Sequence, residues 1–179
     1  FWGVLDTPGD HDDFQFMAKA GQTIVLELAV KIIGSKLANG TITLIDQHGA
    51  VLASDGGFDG GDRLLAYTIR ADGRYTARVV DQMLVASKDH FYRLSVGELP
   101  CVTGISPLSV RTNTEADIEL IGSSLPRNAS VHIKTGGAGE MDVPIDAEKF
   151  RPQRAFKVSV GDGPQLVEAE PNDQPGQAT

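Results

Sequence analysis

The sequence predicts an all-β protein built of packed β-sandwiches. Short segments in which apolar and polar residues alternate dominate the chain, as they do where every second side chain of a strand faces a core. Clusters of Gly, Asp or Asn bound each segment, and no stretch sustains the period of an amphipathic helix. With 41% apolar and 22% charged residues in 179, the chain can bury a real core and suits one or two small domains.

Taken in order, Phe14 and Phe16 alternate with polar neighbours, and Ile24, Leu26, Leu28 and Val30 give the next strand its inward face. Ile42 and Leu44 do the same for a third. Further inward faces come from Leu65, Tyr67 and Ile69, from Tyr75, Ala77 and Val79, and from Tyr92, Leu94 and Val96. So many strands in so short a segment imply two packed sheets. Asp46-Gln47-His48-Gly49 and Ala71-Asp72-Gly73-Arg74 carry the Asp and Gly of tight reversals and read as hairpin connections. Residues 34 to 40 read as a longer loop. At Glu98-Leu99-Pro100 the pattern changes, and Pro100 makes a natural boundary because it ends strand pairing. Beyond it, after the apolar strand-like run that Cys101 begins, strands are expected near residues 130–134, 142–145 and 155–160. From Gly161 onward Gly, Pro, Asp and Gln dominate, as in a linker.

Several separately spaced motifs carry a family resemblance. Gly9-Asp10-His11-Asp12-Asp13-Phe14-Gln15-Phe16, followed by Ala20-Gly21-Gln22 and an alternating strand, resembles the opening signature of bacterial pre-peptidase C-terminal (PPC) domains. Gly34-Ser35-Lys36-Leu37 with Thr41-Ile42-Thr43-Leu44-Ile45-Asp46, and Ala71-Asp72-Gly73-Arg74-Tyr75-Thr76-Ala77-Arg78-Val79, are similar to later stretches of the same family. Val102-Thr103-Gly104-Ile105-Ser106-Pro107, with Asp117 to Leu125, resembles the opening of IPT/TIG immunoglobulin-like domains, although Thr112-Asn113-Thr114 replaces the usual Gly-Gly-Thr. The resemblance implies a jelly-roll-like β-sandwich over residues 1–98 and a smaller Ig-like β-sandwich over 101–163. Residues 164–179 are then a linker entering a next module of the same kind.

Composition excludes several function classes. A formal charge of −8, with Lys and Arg scattered, repels a phosphate backbone, so nucleic acid is not an expected partner. No run is long and apolar enough for a membrane-spanning helix, and an export signal is expected upstream of Phe1. Cys101 opens an apolar strand and reads as a buried, inert thiol. The four histidines, His11, His48, His90 and His132, lie in different segments, and no nucleophile, zinc-protease or phosphate-loop motif accompanies them. They read as surface residues of a non-enzyme.

Two acidic clusters are candidate cation sites. Asp10 and Asp12 sit in a loop before the first predicted strand, where the alternatives are a shared calcium ion or hydrogen bonds to nearby turn N–H groups. In calcium-binding PPC relatives an E-x-E-P-N-D segment completes the site, and the matching residues here are Glu168, Glu170, Asn172 and Asp173. They follow the second module and so fit a neighbouring module, or a second copy of the chain docked head to tail. Asp55, Asp59 and Asp62, separated by glycines, form the other acidic loop, with a solvated connection as the alternative. Aromatic residues are only 6% of the chain and most lie on inward faces, which leaves Trp2 and Phe91 as outward rings but no evident sugar platform.

The resemblance implies a non-catalytic binding and structural segment of a secreted or cell-surface modular bacterial protein. Its expected partners are neighbouring modules, a second copy, or an extracellular polymer, with calcium as the one cofactor implied. The alternative is an accessory, carbohydrate- or substrate-binding region of a secreted hydrolase whose catalytic domain lies outside these residues.

Overall fold

The structure, a computed structural model, describes residues 1–57, 61–152 and 154–163. It is all-β, as the alternation predicts. The first eight strands are β1 (Trp2–Val4), β2 (His11–Ala18), β3 (Thr23–Ala29), β4 (Gly40–Ile45), β5 (Val51–Gly56), β6 (Arg63–Thr68), β7 (Gly73–Asp81) and β8 (Phe91–Gly97). They form two four-stranded sheets, ordered β1-β8-β3-β6 and β2-β7-β4-β5, with every pairing antiparallel. Only β4 and β5 are joined within one sheet; every other connection crosses to the opposite one. That is the strand order of a jelly roll.

The inward faces meet in one core. Leu26, Leu28, Ile42, Leu44, Ala77, Val79 and Leu94 are buried there, with Phe14, Phe16, Leu65 and Tyr67 packed at its margin. Leu5 and Leu37, both outside any strand, join it as well. Tyr75 lies where the chain has just crossed between sheets, and its hydroxyl donates to the Ala71 carbonyl at 2.6 Å, pinning that corner.

Two expectations about turns divide here. Residues 46–49 do close the β4–β5 hairpin: Asp46 accepts from the N–H groups of His48 and Ala50, both at 2.8 Å, and Gly49 takes φ +85°, which a side chain would resist. Residues 71–74, expected as a second hairpin, instead carry the chain from β6 to β7 in the other sheet. Their Asp72 reaches across to accept from Ala20 N–H at 2.8 Å, so its hydrogen bond ties two crossings together rather than closing a reversal.

The second sandwich contains β9 (Cys101–Ser106), β10 (Ser109–Val110), β11 (Glu115–Ser123), β12 (Ser130–Lys134), β13 (Gly139–Asp142), the short helix α1 (Ala147–Phe150) and β14 (Lys157–Val160). Two three-stranded sheets, β12-β11-β9 and β10-β14-β13, enclose a separate core that includes Val102, Ile105, Ile118, Leu120, Ile133 and Val158. The chain passes from one sheet to the other between β9 and β10, where the Ser106–Pro107 bond is cis, and β10 then runs parallel to β14. A strand was expected at residues 142–145; β13 ends at Asp142, and the chain turns to Asp146, which caps α1 by accepting from Glu148 and Lys149 N–H groups. Four residues are too few for a helical period to be read from sequence.

The two sandwiches also touch. Val25, Ala29 and Cys101 are fully buried yet belong to neither core. Val25 and Ala29 alternate with the inward Ile24, Leu26 and Leu28, so they lie on the outer face of β3, which is covered. Arg151 of the second sandwich reaches Glu27 on that face, Nε to Oε2 3.4 Å.

Candidate functional site

The outer face of the β2-β7-β4 sheet forms an open groove of about 730 Å³. Its floor is set by strand register. Asp13, Gln15 and Met17 of β2 stand opposite Arg78, Thr76 and Arg74 of β7, and all six point away from the core because they alternate with Phe14, Phe16, Tyr75 and Ala77. The Asp46–Gly49 turn walls one end. Arg78 donates twice to Asp13, at 2.7 and 2.8 Å, a forked pair that holds the Asp13 carboxyl below its ordinary range. Asp46 is also held low, first by the Ala50 N–H it accepts from. Met17 is 74% exposed at the rim. The surface therefore offers charges and hydrogen-bonding groups on a rigid floor with little apolar cover. It was absent from the sequence reading, although the outward parity of β2 and β7 carries it.

Asp10 and Asp12 lie at one end of the first sandwich, and Asp12 is not in a loop. It belongs to β2, in phase with Phe14 and Phe16, so it points inward. There it accepts a hydrogen bond from the Tyr92 hydroxyl. Burial, then this bond and the charges of Asp12 and Asp10, push the Tyr92 phenol upward, so it stays protonated and donating. Gly3 of β1 lies against the same ring, and a Cβ there would collide with it. Two carboxylates supply only part of the six to eight oxygens calcium takes. Among the described residues no group of three or more His, Cys, Asp or Glu side chains could hold a metal ion. Glu168, Glu170, Asn172 and Asp173 lie outside the described residues.

The other acidic loop is bound to the backbone. Asp62 accepts from three successive N–H groups, Val30 at 2.6 Å, Lys31 at 2.8 Å and Ile32 at 3.4 Å. Asp55 is not in the loop but in β5, where it accepts from Leu64 N–H at 3.0 Å. Both carboxylates thus brace the exits of β3 and β5, and Asp59 lies outside the described residues. Among the histidines, His11, His48 and His132 are exposed, but His90 is half-buried and its Nδ1 has no hydrogen-bond partner. His132 instead meets Asp117 across β11 and β12 at 2.9 Å.

No family model and no curated protein matches the chain. Among solved structures it is similar to Aeromonas hydrophila PliG, a periplasmic lysozyme inhibitor of g-type lysozyme. Identity is 20%, over 54% of this chain and 83% of that one, with a TM-score of 0.38. A likeness this slight has no bearing on function. No helix among the described residues is long and apolar enough to cross a membrane.

Proposed function

We propose that this chain is a non-catalytic binding and spacing segment of a secreted or cell-surface modular protein, its first sandwich PPC-like and its second IPT/TIG-like. The observation that supports it best is the open polar groove over β2, β7 and β4. Its charged pair, Asp13 and Arg78, is locked in mutual hydrogen bonds, which suits contact with an extended surface better than proton transfer. Two sandwiches in tandem add reach without adding chemistry. The test is retention of the chain on extracellular polymers and matrix proteins, compared with a double variant, Gln15→Ala with Arg74→Ala. Selective retention that the variant loses is expected. Hydrolysis of peptide, ester or glycoside substrates by the chain, or retention that the variant keeps, overturns the reading.

Calcium belongs to the same proposal as a partner that needs oxygens beyond Asp10 and Asp12. In a chain extended upstream by a Glu-Pro-Asn-Asp segment, calcium should raise the melting midpoint, since a ligand held only by the native state stabilises it. Asp10→Ala should abolish the rise. An extended chain that melts alike in calcium and in chelator removes calcium from the proposal.

A further inference from the structure

A second concavity, of about 1220 Å³, lies between the two sandwiches. One wall is the outer face of β3, β6 and β8, and the other is the segment around α1 and the approach to β14. Its charges are not balanced. Of the acids that line it, Glu27 is paired with Arg151 and Asp62 is occupied by backbone N–H groups. Arg63 donates to the carbonyls of Gly40 and Gly57. Lys31, Arg93 and Arg154 then face Glu148 alone, in a chain whose formal charge is −8.

Arg93 is the sharpest of these features. Its Nε is buried and has no hydrogen-bond partner, an arrangement that costs free energy until an acceptor arrives. The strand register aligns Trp2, Arg93 and Ala29 in one row on the outer face, and Trp2 at the edge of that row is 68% exposed. Arg154, on the opposite wall, lies over the Phe156 ring at 5.4 Å, where its charge is presented at low entropic cost.

We infer that this cleft binds an acidic polysaccharide, with a uronate carboxylate on Arg93 and a sugar face against Trp2. A guanidinium matches a carboxylate as a fork, and an indole supplies a flat apolar face that a pyranose ring can cover. The cleft is larger than one sugar ring fills, and Trp2 lies next to Arg93 in the strand row beyond its lining, so the ligand is a polymer segment. The site lies on the opposite sheet from the groove above, so its failure leaves that reading untouched.

Titration calorimetry of the full chain with oligogalacturonate, at physiological ionic strength, tests it. Neutral gluco-oligosaccharide and poly-glutamate serve as comparisons. Binding of the uronate alone is expected, weakened roughly tenfold or more in Arg93→Gln, the scale of a lost charge-assisted hydrogen bond. Arg154→Gln, at an exposed position, should weaken it as well without threatening the fold. Trp2→Ala should weaken uronate binding too. Absence of uronate binding, affinity unchanged in both arginine variants, or poly-glutamate bound as tightly with Trp2→Ala without effect, each overturns the assignment.

Discussion

At the scale of single residues, the end of the first sandwich is organised around Tyr92. Its ring lies under Gly3 and its hydroxyl satisfies Asp12, so one side chain fixes the edge strand and a carboxylate turned inward. Tyr92→Phe keeps the packing and removes the donor. The variant should lose about 1–3 kcal/mol in urea unfolding, the cost of leaving Asp12 partly buried and unpaired. A midpoint equal to the parent's would mean that water replaces the phenol without cost. The Asp13–Arg78 pair gives a pH signature instead. Arg78 lowers the Asp13 carboxyl, so the pair's contribution is present above the ordinary carboxylate range and is lost as pH falls through the depressed folded-state value. Arg78→Gln should flatten the acid limb of the stability profile. At neutral pH it should cost no more than about 1 kcal/mol, because more than a third of each side chain is exposed.

At the scale of elements, Asp62 does for the β3 exit what a cap does for a helix. Asp62→Ala should speed amide exchange at Val30, Lys31 and Ile32 and cost about 1–3 kcal/mol. Exchange unchanged at all three would show the loop holds without it. The same element scale separates what the sequence made legible from what it did not. Parity alone located the inward faces from Phe14 to Val96, because a strand has only two faces and one was apolar. Parity also carried the inward turn of Asp12 and of Arg63, in phase with Leu65 and Tyr67, but a charged residue masks the signal. Connections were less legible. The residues that close the β4–β5 hairpin and those that cross from β6 to β7 are of the same kinds, since both bend the chain and both need local acceptors. Which strand waits on the far side is decided by pairing dozens of residues away. The groove was hidden for the same reason: Asp13 and Arg78 are neighbours only through register.

At the scale of the molecule, two cores imply two melting units coupled through a modest contact. Ile118→Ala, at a fully buried site in the second sandwich, should cost that unit about 2–5 kcal/mol. Denaturation followed by hydrogen exchange should then become biphasic, with β9 to β14 opening first and the first sandwich retaining protection. A single transition shared by both would show that the contact made by Arg151 and Glu27 belongs to an interface that welds them into one unit. The jelly-roll order has a consequence in time. β1 pairs with β8 and β2 with β7, so the first strands of the module are partnered by its last. Such long-range pairings place the sandwich among slow folders, in the millisecond-to-second range, because loop closure must precede contact. At about 5–20 residues per second synthesis is slower still, so assembly waits for β8 to emerge. Until Gly97 has emerged, β1 and one edge of β3 have no partner strand, and the module's most vulnerable moment is its own making.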